Sequence, residues 1–243
     1  MEENNKKLRI LILSDSTSMW IRPYRNHIND FTYVELLQKE GYSIDIISSP
    51  GMTSREVLNI YWNELMANFY DVCIVSVGIN DLTPRSYPRW MWKINNSLLV
   101  NDTFSAKFYG YFYRIFTNKY IQKTFSKYKL SKPWVSKKYF KLNLLKFQEI
   151  VLKESDSKII YLSLPMVSKR VSSLLCGIDK SVIAYKNEIA NLVNNERVFQ
   201  VDIDVLFQEN REKYNEEGIH YTTEGHKKVF GALLNKIKTV VEK

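Results

Sequence analysis

The 243-residue chain has only two cysteines, Cys73 and Cys176. That is too few for a disulfide framework, and it rules out a zinc ribbon. Histidine is nearly as scarce: the three present, His27, His220 and His226, show no metal-ligand spacing. No metal and no cofactor is expected. No apolar run approaches the roughly 18 residues needed to span a bilayer. The stretch from Leu8 to Leu13 is too short for a signal-peptide core, and no small-residue cleavage site follows it. A cytoplasmic location is therefore expected. With 45% apolar and 25% charged residues, the composition is that of a globular domain and not of a disordered chain. The length suits one domain, or one domain carrying an insertion.

Acidic residues are almost missing from one long stretch. Between Pro84 and Lys146 there are fourteen Lys or Arg and a single acid, Asp102. The formal net charge of +9 thus conceals a segment of +13 set into a remainder of −4. The same segment contains sixteen of the thirty-three aromatic residues. We read 1–243 as a single domain with a basic, aromatic helical insertion, or cap, over 84–155.

Outside that segment, β-rich runs alternate with helical patterns. Leu8–Leu13 reads as a strand ending in the polar cluster Ser14-Asp15-Ser16. A helix is predicted over Asp30–Glu40, with Asn29 as its cap and Gly41 as its stop. Ser43–Ile47 alternates as a second strand. Thr53-Ser-Arg-Glu56 has the spacing of a capping box, opening a helix to about residue 68. Asp71–Val77 is nearly all apolar, as expected of a strand buried on both faces. Lys158–Leu164 and Val198–Val201 supply two more strands, with helices over 180–194 and from Thr223 onward. In the basic segment two or three helices are predicted, roughly over 103–126 and 135–154, with a break at Lys132-Pro133. This alternation argues for an α/β fold with a parallel sheet.

In such sheets ligands sit beyond the carboxyl ends of the strands. There the sequence places Ser14-Asp15-Ser16, then Ser49-Pro50-Gly51, then Gly78-Ile79-Asn80-Asp81. Glu217-Gly218-Ile219-His220 stands ahead of the last helix. Together these supply a hydroxyl, a glycine N–H, a carboxamide, an imidazole and a carboxylate, which are the parts of an acyl-transfer site. Taken singly, each is an ordinary turn or cap residue. Four in order on an α/β pattern carry more weight.

The four clusters resemble the signature blocks of the SGNH hydrolases, or GDSL-type esterases and lipases, over 1–83 and 156–243. Two positions depart from the family pattern. Ser14 stands where glycine is usual, and Glu217 where aspartate is usual, with Glu216 as an alternative acid. The resemblance implies a three-layer α/β/α sandwich around a parallel sheet of about five strands, in the flavodoxin-like order 2-1-3-4-5. It implies Ser16 as nucleophile, His220 as general base and Glu217 as the acid that orients it. The Ser16 N–H, the Gly51 N–H and the Asn80 side chain would form the oxyanion hole, with Asp15, Gly78 and Asp81 as supports.

The reaction expected is hydrolysis of a carboxylic ester, most plausibly a small acyl group such as acetyl on a carbohydrate. Acyl transfer to a glycan hydroxyl, lipid or thioester hydrolysis, and a non-catalytic membrane- or glycan-binding module are the alternatives. In the basic segment, aromatic residues from Phe108 to Tyr120 recur at three- and four-residue spacing among lysines. A lid over the site is the preferred reading. Contact of 103–126 with an anionic membrane or a lipid-linked substrate comes next, and nucleic acid is disfavoured.

Overall fold

The continuous apolar runs become the inner strands of one sheet. The computed structural model describes residues 7–23, 28–64, 69–98 and 104–241. In chain order it contains β1 (Arg9–Ser14), α1 (Tyr33–Lys39), β2 (Ser43–Ser48), α2 (Ser54–Glu64), β3 (Val72–Ser76) and α3 (Ile79–Leu82). Four helices follow: α4 (Arg89–Leu98), α5 (Phe104–Thr117), α6 (Lys119–Lys127) and α7 (Lys137–Glu154). Then come β4 (Lys158–Leu162), α8 (Lys169–Leu174), α9 (Ile178–Ala190), β5 (Val198–Val201), α10 (Ile203–Phe207), α11 (Arg211–Tyr214) and α12 (Thr223–Val241).

The sheet is parallel throughout, in the order β2-β1-β3-β4-β5, so the expected three-layer sandwich is the architecture observed. Alternate side chains along each strand feed two separate cores. Leu11, Leu13, Cys73, Val75, Ile159 and Tyr161 pack against α2, α7 and α9. Their neighbours Ile10, Ile12, Val72, Ile74, Ile160 and Leu162 pack against α1 and α12. That explains why β3 is buried at every position while the edge strand β2 stays half exposed.

Several boundaries differ from expectation. The first helix is α1, capped not by Asn29 but by Thr32, whose hydroxyl accepts from Glu35 N–H while Glu35 answers the Thr32 N–H. Thr32-Tyr-Val-Glu35 is itself a capping-box sequence. The α2 box does form: Glu56 accepts from Thr53 N–H at 3.0 Å and from its hydroxyl at 2.6 Å. The predicted end of that helix, 65–68, lies outside the described residues, as do His27 and the start of the 103–126 helix. Within the basic segment the single helix of 103–126 is two, α5 and α6. Asn118 breaks them and caps α6 by accepting from Tyr120 N–H. Helix α4 was not expected at all. Helix α7 is a core element, with Phe140, Leu144, Phe147 and Val151 fully buried against the sheet. Among the described residues no helix is long and apolar enough to cross a membrane.

Candidate active site

The chain leaves β1 into a turn that is fixed by buried polar bonds. The Asp15 carboxylate accepts from Thr17 N–H at 2.9 Å, and its carbonyl accepts from Ser48 Oγ at 2.8 Å. Ser16 opens the turn, its carbonyl accepting from both Met19 N–H and Trp20 N–H. Ser14 keeps negative φ, so serine fits where the related pattern has glycine. His226, which had no assigned role, is fully buried behind this turn. It accepts from Tyr33 N–H at Nδ1, so its Nε2–H faces the Trp20 carbonyl at 3.2 Å.

Ser16 Oγ lies 2.9 Å from His220 Nε2. The other ring nitrogen, Nδ1, is hydrogen-bonded to Glu217 Oε1. A carboxylate only accepts, so Nδ1 carries the proton and Nε2 is left to accept from the serine hydroxyl. Glu216, the alternative acid, is exposed and makes no such contact. The loop bearing both residues is pinned at Gly218, where φ is +89° and a Cβ would fall within 2.6 Å of Ser168. Ser168 caps α8 and donates its hydroxyl to the Glu217 carbonyl.

Three candidate donors belong to residues that line one cavity, Ser16, Gly51 and Asn80. The N–H groups of Ser16 and Gly51 have no acceptor among the described residues. Gly51 has φ +74°, and a Cβ there would meet the Trp92 ring at 2.6 Å. Glycine is thus required by its backbone and by the indole stacked on it; close approach of substrate is a lesser reason. The third donor is the Asn80 carboxamide at the start of α3. Its Nδ2 donates to Asp15 Oδ2 at 3.1 Å, leaving one N–H of that amide free. Gly78, with φ +132° against Leu164 and Phe140, makes the turn that delivers Asn80.

The supports fall into place around these donors. Asp81 accepts from Ser54 N–H and from its hydroxyl at 2.6 Å, tying α3 to the start of α2 and so Asn80 to the Gly51 loop. Burial pushes the Asp81 carboxyl up to about 7, against the lowering effect of the Ser54 bonds. Asp15 is likewise raised by burial, opposed by its bonds to Thr17 and Asn80 and by the nearby His220. Neither carboxylate reaches the serine.

One residue at this site was not anticipated. Arg85 Nη2 donates to Asn80 Oδ1 at 3.0 Å. Arginine can only donate, so the oxygen of the amide must face it and the nitrogen must face Asp15. The guanidinium lies 4.0 Å from the Trp134 ring centre and donates to Tyr87 Oη. Arg85 also exchanges backbone bonds with Lys132, which ties the start of the basic segment to the stretch just before Trp134. No short motif links Arg85 to Trp134; the tertiary fold alone makes the pair.

Ser16, Gly51, Asn80, Arg85 and His220 line one cavity of about 390 Å³. Trp20, Trp92 and Trp134 supply aromatic walls, and Val171, Leu174, Leu175 and Ile219 an apolar side. A nucleophile held by a base, the base held by an acid, and donors converging beside the nucleophile can stabilise a tetrahedral oxyanion.

No family model matches the chain, and no curated protein matches it in sequence. Solved structures do match over nearly its whole length. A catalytic mutant of an acetylxylan esterase from Geobacillus stearothermophilus is 16% identical, covering 95% of this chain and 94% of its own, with a TM-score of 0.56. A lipase/acylhydrolase from Enterococcus faecalis is 12% identical, covering 96% of each chain, with a TM-score of 0.61. A GDSL-like lipase from Bacteroides thetaiotaomicron is 14% identical, covering 95% of this chain and 88% of its own, with a TM-score of 0.59. The class of fold is therefore that of the α/β ester hydrolases built on a five-stranded parallel sheet. Within it, the chain has the fold of the GDSL-type, or SGNH, lipases and esterases.

Proposed function

We propose that this protein is a serine esterase that cleaves a carboxylic ester through an acyl-enzyme on Ser16. The hydrogen-bonded series Glu217–His220–Ser16, opening into the cavity that Asn80 and Gly51 share, carries this reading. Ser16 Oγ attacks the carbonyl carbon while its proton passes to His220 Nε2. Glu217 keeps the imidazole in the accepting tautomer and balances the imidazolium that forms. The carbonyl oxygen, now an oxyanion, accepts from Ser16 N–H, Gly51 N–H and Asn80 Nδ2. Collapse expels the alcohol, which takes its proton from His220. Water then attacks the acyl-enzyme, giving up a proton to the same nitrogen, and the acid product leaves Ser16 free.

The substrate we favour is a small acyl group, acetyl foremost, on a carbohydrate. Three indoles around the cavity offer flat apolar faces suited to a sugar ring, with donors between them to fix its orientation. Among the structural neighbours are two mutants of one acetylxylan esterase, also described as an acetyl-xylooligosaccharide esterase. The wall of Val171, Leu174, Leu175 and Ile219 favours a second reading, a longer lipid acyl chain. Nitrophenyl esters from acetate to palmitate, run beside acetylated xylo-oligosaccharides, separate the two. Fastest turnover on acetate, with release of acetate from the glycan, supports the first reading. A maximum at long chain length supports the second, and no turnover of any ester overturns both.

A further inference from the structure

Helix α5 is apolar on two opposite sides. Its inner side is occupied: Tyr109 donates its hydroxyl to the Met91 carbonyl at 3.1 Å, and Tyr113 packs edge-on against Tyr87. Its outer side bears Phe108, Tyr111, Phe112 and Ile115, at the three- and four-residue spacing of one helical face. These are 67%, 68%, 45% and 40% exposed. A helix whose core contacts are already made has no structural use for a second apolar stripe facing water. On the adjoining α6, Tyr120, Lys123 and Lys127 form an outward face at the same spacing, and Tyr120 is 69% exposed. Arg114, Lys119, Lys123 and Lys127 have no carboxylate within ion-pair distance among the described residues. A lid that only covered the cavity would turn its large apolar side chains inward, and these four on α5 point out.

We propose that the outward face of α5 and α6 docks on an anionic membrane surface, with the Ser16 cavity on the other side of α6. Aromatic and aliphatic side chains beside unpaired cations are the chemistry of a helix lying in the headgroup region. There the rings enter the acyl boundary and the lysines meet anionic lipids. A second copy of the chain fits poorly, because the segment carrying this face has a net charge of +13 and repels itself. Nucleic acid would satisfy the cations and the tyrosines but would give Ile115 and Phe108 nothing to bury against. The placement also connects docking to chemistry. Gln122, on the inner side of α6, lines the Ser16 cavity, as does Trp92 of α4. A membrane against the outer side of α6 therefore lies one helix diameter, roughly 10 Å, from the cavity lining.

The test is co-sedimentation of the full chain with vesicles of phosphatidylcholine, alone or mixed with phosphatidylglycerol, at low and high salt. Binding is expected only to the anionic vesicles, falling steeply with salt because exposed charges are screened beyond about 10 Å. Each lysine near such a surface contributes about fivefold, so neutralising Lys119, Lys123 and Lys127 together should weaken binding about a hundredfold. Phe108→Ser with Phe112→Ser should weaken it by at least about tenfold through lost apolar burial. Both variants should melt at the wild-type temperature and hydrolyse a small soluble ester at the wild-type rate. Vesicle binding does not depend on Ser16, so it is judged separately from the esterase reading. Equal binding to neutral and anionic vesicles, no binding, retention of binding by both variants, or binding to single-stranded nucleic acid in place of vesicles would each overturn the proposal.

Discussion

The sheet and the basic segment above it treat charge in opposite ways. At the carboxyl ends of the strands, each buried carboxylate is bonded: Asp15 to Thr17 and Asn80, Asp81 to Ser54. On α5 and α6, Arg114, Lys119, Lys123 and Lys127 have no carboxylate within ion-pair distance among the described residues, and Phe108, Tyr111, Phe112 and Ile115 face outward. Charges taken out of water must be matched where they stand, whereas exposed charges stay solvated and free to meet a partner. On the reading proposed above, the first region holds atoms still for chemistry and the second meets a partner surface. Arg85 joins them, since it belongs to the basic segment yet holds the amide of Asn80.

The sharpest break between the regions comes from the nucleophile. Ser16→Ala should lower turnover by about 10⁶-fold with little change in melting temperature. Loss of stability in step with activity would mean that the serine is structural. Glu217→Gln should cost about 10⁴-fold, because the imidazole loses its preferred tautomer. Glu216→Gln should cost almost nothing; the reverse order would reassign the acid. Asn80→Ala is expected to lower kcat about 10²–10³-fold, as for other oxyanion donors. Arg85→Met acts through Asn80. Removing one charged hydrogen bond should lower kcat by about ten- to a hundredfold at nearly constant KM, with Arg85→Lys recovering part of it. A change confined to KM would place Arg85 in substrate binding instead.

The smallest effect is on stability. The Asp81 carboxyl is raised to about 7 in the folded chain, so between pH about 4 and 7 the folded form keeps a proton that the unfolded chain releases. Stability contributed there falls as pH rises through that window. Asp81→Asn cannot ionise and escapes the loss, so its melting temperature should gain on the wild type from pH 4 to 7. A difference independent of pH would show that Asp81 stays ionised.

The strands were legible because continuous apolar runs such as Val72–Ser76 admit few other readings. Three of the candidate site clusters stand out because each follows a strand, and the fourth because it precedes the last helix. What escaped the sequence was tertiary or local competition. Asn29 suits a cap by residue type, but only Thr32 has a glutamate three residues on to complete the box. Asn118 divides α5 from α6 by capping, a signal hidden inside an unbroken aromatic stripe. Helix α7 reads like the rest of the basic segment, since its lysines mask the buried spacing of Phe140, Leu144, Phe147 and Val151. Arg85 could not be found at all, because its partners Asn80 and Trp134 lie on different elements and share no spacing.

The central claim is that Ser16 is an activated nucleophile, and active-site labelling tests it most directly. Incubation with a fluorophosphonate, followed by intact-mass and peptide analysis, should show one adduct on the peptide containing Ser16. The adduct should be absent in Ser16→Ala and slow to form in His220→Ala. Failure of the wild-type protein to label, or labelling that persists in Ser16→Ala, would contradict the account.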